Sequence, residues 1–128
     1  MNQQLKKILI VDDDDRNIFA LKAVLTSKGY SCITAVSGLQ ALEIMQQQND
    51  ISAALVDMMM PGMDGYEMME LVRETSSLNH VRLIAVTAQA MMGDKEKCLA
   101  AGADAYVSKP VDIDNLLQML HDPLKQKG

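Results

Sequence analysis

Short apolar segments alternate along this chain with longer segments of helical spacing, and this alternation limits the folds open to it. Three of the apolar runs, ILIV, AALV and LIAV, are nearly continuous, which is typical of central strands covered on both faces. Five strands are predicted, at Lys7–Val11, Ser31–Ala35, Ala53–Val56 leading into Asp57, Arg82–Val86 leading into Thr87, and Ala105–Ser108. We therefore expect an α/β fold of five βα units, with an open, doubly wound parallel sheet.

The segments between these strands carry helix signals of differing strength. The last is the clearest, since apolar residues recur at Ile113, Leu116, Leu117 and Leu120 after a capping residue, Asp112. The first should end at Gly29, the second should follow Ser37, and the third should start near Asp64. The fourth, near Gly93–Ala101, has few apolar anchors and is the weakest prediction.

Length and charge limit the class of protein. A chain of 128 residues that is 48% hydrophobic is enough for one core, so residues 1–128 should form a single domain. A net charge of -5 argues against direct binding to nucleic acid or an anionic membrane. The first apolar run ends in four aspartates, which excludes membrane insertion there and favours a cytoplasmic protein. Cys32 and Cys98 are predicted to be free, buried thiols.

Carboxylate, hydroxyl and ammonium side chains lie where the predicted strands end, at Asp12, Asp13, Asp57, Thr87 and Lys109. In a doubly wound sheet, the carboxyl ends of the strands share one crevice beside the point where strand order reverses. Three converging carboxylates repel one another unless a cation lies among them. Oxygen ligands without nearby His or Cys favour Mg²⁺, with Mn²⁺ as an alternative.

These residues suit the transfer of a phosphoryl group. The Thr87 hydroxyl and the Lys109 ammonium can bind phosphoryl oxygens, while a metal ion neutralises further charge. Asp57 ends the central strand and is followed at once by a turn containing Pro61 and Gly62, so its carboxylate is the predicted nucleophile.

Four motifs, ILIVDDD, LVDMMMPGMDG, AVTA and GADAYVSKPV, occur in an order and spacing that resemble CheY-like receiver domains of two-component signalling, over about residues 6 to 121. The resemblance implies a flavodoxin-like sheet of order 2-1-3-4-5. It implies that Asp57 is the phosphoacceptor, that Asp13, Asp57 and the main-chain carbonyl of Met59 ligate Mg²⁺ directly, and that Asp12 acts through a water. Thr87 and Lys109 would bind the phosphoryl group, and a cis Lys109–Pro110 bond would aim the lysine.

The resemblance also implies partners and a switch. The donor would be a histidine kinase or a histidine phosphotransfer domain, and the chain would catalyse its own phosphorylation and slow hydrolysis while acting mainly as a signal. Tyr106 would change exposure as Thr87 moves, altering the face made by the fourth helix, fifth strand and fifth helix. The later part of the chain is more particularly similar to receivers of hybrid sensor histidine kinases. Because the sequence ends at Gly128, we expect output by protein binding or by a domain outside this sequence.

Met59 departs from the family, in which this position commonly carries a polar residue. With Gln89, two residues after Thr87, it should line the route of the hydrolytic water. We predict that Met59 and Gln89 set the lifetime of the phosphorylated form.

Other interpretations of the same residues remain open. Asp14 or Asp15 is assigned to helix capping, and His80 and His121 are predicted not to be ligands. Tyr106 alone could be an ordinary sheet residue. A haloacid-dehalogenase-type phosphatase would place its nucleophile on the first strand in a DxDx(T/V) pattern, which Asp12-Asp13-Asp14-Asp15-Arg16 does not match. A phosphorylation-silent interaction domain is the second alternative.

Overall fold

The structure is a computed structural model that describes residues 6–88 and 93–121. In these residues, strands and helices alternate throughout: β1 Lys7–Val11, α1 Asp15–Ser27, β2 Ser31–Ala35, α2 Gly38–Gln47, β3 Ile51–Asp57, α3 Gly65–Glu74, β4 Arg82–Thr87, α4 Asp94–Ala100, β5 Ala105–Ser108 and α5 Ile113–His121. No helix of the described ranges combines the length and the apolar character that a membrane span needs.

All five strands form one parallel sheet in the order β2-β1-β3-β4-β5, which confirms the predicted fold. The chain moves outward from β1 to β2 and then returns to the other side of β1, so strand order reverses between β1 and β3. β3 begins at Ile51, earlier than the predicted Ala53, because Ile51 pairs with Lys7 before the register shifts. The reversal point is where a ligand site is expected.

Two apolar cores cover the two faces of the sheet, because successive strand residues point to opposite sides. Leu9 and Val11 face one core, and Ile8 and Ile10 face the other. The first core is completed by residues of α2, α3 and α4, and the second by residues of α1 and α5: Met45, Met69 and Cys98 on one side, Leu25 and Leu116 on the other. Burial on both faces explains the continuous apolar strand sequences.

Helix ends follow the local signals in the sequence. The side chains of Asp14, Ser37 and Asp64 each accept a backbone N–H of the helix that follows, so Asp14 rather than Asp15 caps α1. Gly102 has φ of 118° directly after α4, a left-handed conformation that ends a helix at little cost only for glycine. The predicted boundaries of α1 to α4 are therefore confirmed to within a few residues.

The two thiols differ in burial. Both cysteines are free, as predicted, and Cys98 on α4 is fully buried. Cys32 is only partly buried, so the predicted burial of Cys32 was wrong. β2 is an edge strand, and most of its residues are therefore covered incompletely.

Arg73, near the end of α3, joins two loops, the one before β4 and the one before β5. Its Nε donates to the carbonyl of Gly102 at 2.8 Å, and Nη1 donates to those of Asn79 and Val81, each at 2.9 Å. Its Nη2 pairs with Asp104 Oδ2 at 2.7 Å. The guanidinium thus satisfies backbone carbonyls in the loop before β4 and in the loop before β5.

We expect Arg73→Ala to lower the free energy of unfolding by about 2 to 4 kcal/mol, because it removes several hydrogen bonds and leaves part-buried carbonyls unpaired. Arg73→Lys should recover little of this, since one ammonium cannot replace a planar fork. Urea denaturation measures the change, with Arg16→Ala, an exposed arginine on α1, as the matched control. An unchanged midpoint for Arg73→Ala would show that these contacts do not contribute to stability.

Candidate functional site

The predicted site residues meet at the carboxyl edge of the sheet, where strand order reverses. Asp12 and Asp13 follow β1, Asp57 ends β3, and Thr87 ends β4. Asp57 pairs in register with Val86, so Thr87 lies one residue beyond it on the neighbouring strand. Lys109 follows β5 directly. The rule that parallel strands deliver function at their carboxyl ends therefore identifies the crevice from sequence alone.

Three of these residues form an acidic cluster. Asp12, Asp13 and Asp57 each offer a carboxylate oxygen, and these oxygens all lie within 4.8 Å of one another. Asp12 and Asp57 are 3% and 5% exposed, whereas Asp13 is exposed to solvent. An all-oxygen set of this size, open to water on one side, fits the preference of Mg²⁺ for carboxylates while it keeps some of its waters.

The Asp57 carboxylate is held by its own loop and by Lys109. Its Oδ1 accepts the backbone N–H of Met59 at 3.0 Å, and the Lys109 Nζ lies 4.0 Å from the same oxygen. The backbone N–H of Met58 donates to the Val86 carbonyl at 3.0 Å, which continues the ladder to β4 beyond the end of β3. These contacts orient the carboxylate into the crevice.

Lys109 is held at the site by its backbone. Its N–H donates to the Thr87 carbonyl at 2.7 Å, and the Lys109–Pro110 bond is cis, as the resemblance implied. The Nζ also lies 3.6 Å from Asp12 Oδ2, so one ammonium faces two buried carboxylates. It is therefore placed where it can neutralise charge between them.

Gly65, the first residue of α3, lets that helix start against the loop that carries Asp57. A Cβ at this position would lie 2.9 Å from the Asp57 carbonyl oxygen and 2.9 Å from the Met58 Cα. No side chain fits that space without a backbone shift, so glycine is needed here for α3 to start against this loop.

Burial raises the pKa of the Asp57 carboxyl above its ordinary value, and the neighbouring Asp12 carboxylate raises it further, whereas the Met59 N–H and the Lys109 ammonium lower it. The loss of hydration is the largest of these effects. Without a bound cation, the charged form of Asp57 is therefore less favoured in the native state than in the unfolded chain.

This pKa shift predicts a pH-dependent effect of Asp57→Asn on stability. Between the ordinary pKa of 3.8 and the raised native pKa, the folded protein binds more protons than the unfolded chain, so Asp57 makes stability fall as pH rises. With a chelator present, we expect Asp57→Asn to gain in stability relative to wild type between about pH 4 and about pH 7. Mg²⁺ should reverse that gain at neutral pH by binding the native wild type. Urea midpoints at both pH values measure it, and a pH-independent difference would contradict the predicted titration.

The remaining predicted residues differ in burial. Thr87 is 6% exposed at the end of β4, and Tyr106 is half-buried against the core that includes Cys98. The Met59 side chain is 70% exposed. Gln89 lies outside the described residues. His80 is exposed in the loop before β4, and it is not among the groups that could hold a metal in the described residues.

One contact was missed from sequence. The amide Nδ2 of Asn17 donates to Asp12 Oδ2 at 3.3 Å. The signal was present, since an N-cap at Asp14 makes Asn17 a first-turn residue of α1, close to the loop that carries Asp12.

In the part of the chain that the structure describes, a smaller and a larger cavity open on the surface at opposite ends of the sheet. The smaller, of about 570 Å³, lies beside the site and is lined by Asp12, Asn17 and Lys109 together with apolar residues of α1 and of the loop after β5. The larger, of about 990 Å³, lies at the amino ends of the strands and contains none of the predicted site residues. The chemistry of the side chains, rather than cavity size, therefore locates the functional site.

Fold and site together define a doubly wound α/β protein with an acidic, cation-compatible centre at its switch point. The chain belongs to the response regulator receiver domain family, which matches residues 8–121. The polar-differentiation response regulator DivK of Brucella ovis is 31% identical over 115 residues, covering 90% of this chain and 93% of that protein. The predicted family and its place in two-component signalling are confirmed.

Similar solved structures support the same family assignment. A putative response regulator from Chloroflexus aurantiacus superposes with a TM-score of 0.88 at 32% identity, covering 95% of this chain and 99% of the other. The receiver domain of sensor histidine kinase PA1611 from Pseudomonas aeruginosa has a TM-score of 0.83 at 34% identity, covering 91% and 95% of the two chains. That domain was crystallised with a magnesium ion coordinated in its active site cleft.

Proposed function

We propose that this chain is a phosphoacceptor switch in which Asp57 takes a phosphoryl group, with Mg²⁺, from the phosphohistidine of a histidine kinase or histidine phosphotransfer domain. One observation carries the proposal: the buried Asp57 carboxylate lies among two further aspartates and within 4.0 Å of the Lys109 ammonium. Membership of the receiver family and the magnesium-bound PA1611 receiver support it.

The reaction is an exchange of one bond to phosphorus for another. A carboxylate oxygen of Asp57 forms a P–O bond as the P–N bond to the donor imidazole breaks, and the imidazole leaves with the electron pair of that bond. Lys109 offers positive charge to the phosphoryl oxygens, and the Thr87 hydroxyl offers a hydrogen bond. When bound by Asp12, Asp13, Asp57 and the Met59 carbonyl, Mg²⁺ supplies further charge neutralisation.

Phosphorylation is proposed to act on a surface through Thr87. The Thr87 carbonyl accepts the N–H of Lys109, and Thr87 pairs in register with Ser108 of β5. We propose that a shift of Thr87 is transmitted to β5 through these contacts. Tyr106 lies on β5 two residues before Ser108. We propose that its repacking changes the face made by α4, β5 and α5 and thereby the choice of protein partner.

The lifetime of the phosphorylated form is proposed to depend on Met59 and Gln89. Met59 follows Asp57 by two residues, and its apolar, exposed side chain stands where a polar one could orient water. The test is the rate of phosphoryl loss from Met59→Ala and Gln89→Ala after the donor is removed. Unchanged lifetimes in both variants would rule out the idea.

The proposed function is tested by incubating the purified protein with acetyl phosphate and following its intact mass. We expect the mass of one added phosphoryl group in the presence of Mg²⁺. This mass gain should not occur when a chelator is added before acetyl phosphate. A phosphorylation-silent interaction domain would show no Mg²⁺-dependent gain. A phosphatase would release phosphate from an ester, and release that survives Asp57→Asn would favour it.

A further inference from the structure

The two oxygens of the Asp12 carboxylate are engaged by different groups. Oδ1 accepts the backbone N–H of Asp14 at 2.9 Å, and Oδ2 accepts the side-chain amide of Asn17 at 3.3 Å. The Lys109 Nζ stands 3.6 Å from Oδ2. Because Asp12 is only 3% exposed, water cannot replace these partners freely.

Lys109 does not orient Asp12 by itself, either before the proposed reaction, since 3.6 Å is longer than a hydrogen bond, or during it. Its ammonium is shared with Asp57 Oδ1 at 4.0 Å, and a phosphoryl group arriving at Asp57 would compete for the same cation. Once Lys109 turns to the phosphoryl oxygens, Asn17 is the remaining side chain with a donor on Oδ2 among the described contacts.

The chemistry of Asn17 suits this task. A neutral amide donates a hydrogen bond without adding positive charge, whereas a lysine or arginine in its place would repel a divalent cation held by the same carboxylate. A residue that hydrogen-bonds to a carboxylate at a metal site orients that carboxylate, and its removal commonly weakens metal binding.

Helix capping is the ordinary role of a short polar residue in the first turn of a helix, but in α1 another residue caps the helix. Asp14 caps α1, and its Oδ1 accepts the N–H of Arg16 at 2.9 Å. The Asn17 amide donates to Asp12 instead of to the helix backbone.

We infer that Asn17 is a positioning residue that fixes Asp12 for the divalent cation, acting through Asp12 and not on the phosphoryl group. This inference rests on the proposed Mg²⁺-dependent function. It assigns a role in cation affinity to a residue outside the acidic cluster and outside the phosphoryl-binding pair.

The experiment is a calorimetric titration of the unphosphorylated protein with Mg²⁺, which needs no donor. We expect Asn17→Ala to bind Mg²⁺ about 10-fold more weakly than wild type, in the range found for groups that orient metal ligands. Asn17→Gln keeps the amide donor and should recover part of the loss. Asn115→Ala is the matched control, because Asn115 is likewise the third residue of its helix but is exposed and lines neither the acidic cluster nor the cavity beside it.

Thermal melts in the presence of a chelator separate affinity from folding. Alanine favours helices, so Asn17→Ala should melt close to wild type. Should it unfold, Asn17→Gln decides. If this variant folds like wild type, Mg²⁺ binding that is weakened by clearly less than about 10-fold supports the inference, and binding weakened by about 10-fold or more contradicts it.

The possible results separate failure of the role inferred for Asn17 from failure of the proposed Mg²⁺-dependent function. Wild-type Mg²⁺ affinity in Asn17→Ala, with slower transfer only from a protein donor, would mean that Asn17 contacts the donor and would overturn the inference alone. Absence of Mg²⁺ binding to the wild-type protein would overturn the proposed cation and the inference together.

Discussion

Replacing Asp57 by asparagine is expected to abolish Mg²⁺-dependent phosphorylation, with a fall of about 10³-fold or more in the rate of phosphoryl uptake. The amide is nearly the same size as the carboxylate and keeps an oxygen for the Met59 N–H at 3.0 Å, so the loop should keep its shape. The amide lacks a negatively charged oxygen to attack phosphorus, and it removes one of three charges of the acidic cluster. Transfer from a labelled histidine phosphotransfer domain measures the effect.

The matched control for this substitution lies at the other end of the same strand. Asp50 immediately precedes β3, is exposed, and pairs with Lys7 at 2.9 Å, far from the carboxyl edge. Asp50→Asn should therefore accept the phosphoryl group at the wild-type rate. Equal labelling of Asp57→Asn and wild type would instead place the acceptor elsewhere, with Asp12 and Asp13 as the next carboxylates to examine.

Lys109→Ala is expected to slow phosphorylation about 10²-fold, the typical effect of removing one group that stabilises developing charge. The ammonium lies within 4.0 Å of both Asp12 and Asp57, so its removal takes away positive charge that faces both buried carboxylates. Rates of phosphorylation by acetyl phosphate under saturating Mg²⁺ measure the loss.

The controls for Lys109 separate charge from geometry. Lys109→Arg should recover only part of the rate, since a planar guanidinium does not fit where a compact ammonium sits. Lys22→Ala removes an exposed lysine of α1 and should leave the rate unchanged. A wild-type rate in Lys109→Ala would exclude the proposed role of its charge.

The sheet could be predicted because burial on both faces leaves a strong local signature. ILIV, AALV and LIAV became β1, β3 and β4, the three strands in the middle of the sheet. α4 was the weakest prediction for a physical reason. The contacts that hold α4 in place involve residues of other elements. The Lys97 Nζ lies 4.6 Å from the centre of the Tyr66 ring on α3, and Cys98 packs into the core. Such long-range support leaves little trace in a seven-residue segment.

The site could be predicted as a set of residues but not as a geometry. Strand ends brought Asp12, Asp57 and Thr87 to one crevice because parallel strands share an edge. Two hydrogen bonds of the site, from the Met59 N–H to Asp57 and from the Asn17 amide to Asp12, could not be predicted in this way. They depend on the conformation of the loops and on the direction in which α1 starts, and the hydrophobic periodicity of the sequence carries no information on either. The Arg73 contacts to three carbonyls were missed for the same reason, since the loops they join are distant in sequence.

The central claim, that the Asp57 carboxylate accepts the phosphoryl group, is tested most directly by chemical trapping. Borohydride reduces an acyl phosphate to an alcohol, which converts a phosphorylated aspartate into homoserine that peptide mass spectrometry can locate. After treatment with acetyl phosphate and Mg²⁺, the account predicts homoserine at position 57 and at no other aspartate, and none when a chelator is present. Homoserine at position 12 or 13, or a Mg²⁺-dependent phosphoryl group that resists reduction on another residue, would contradict it.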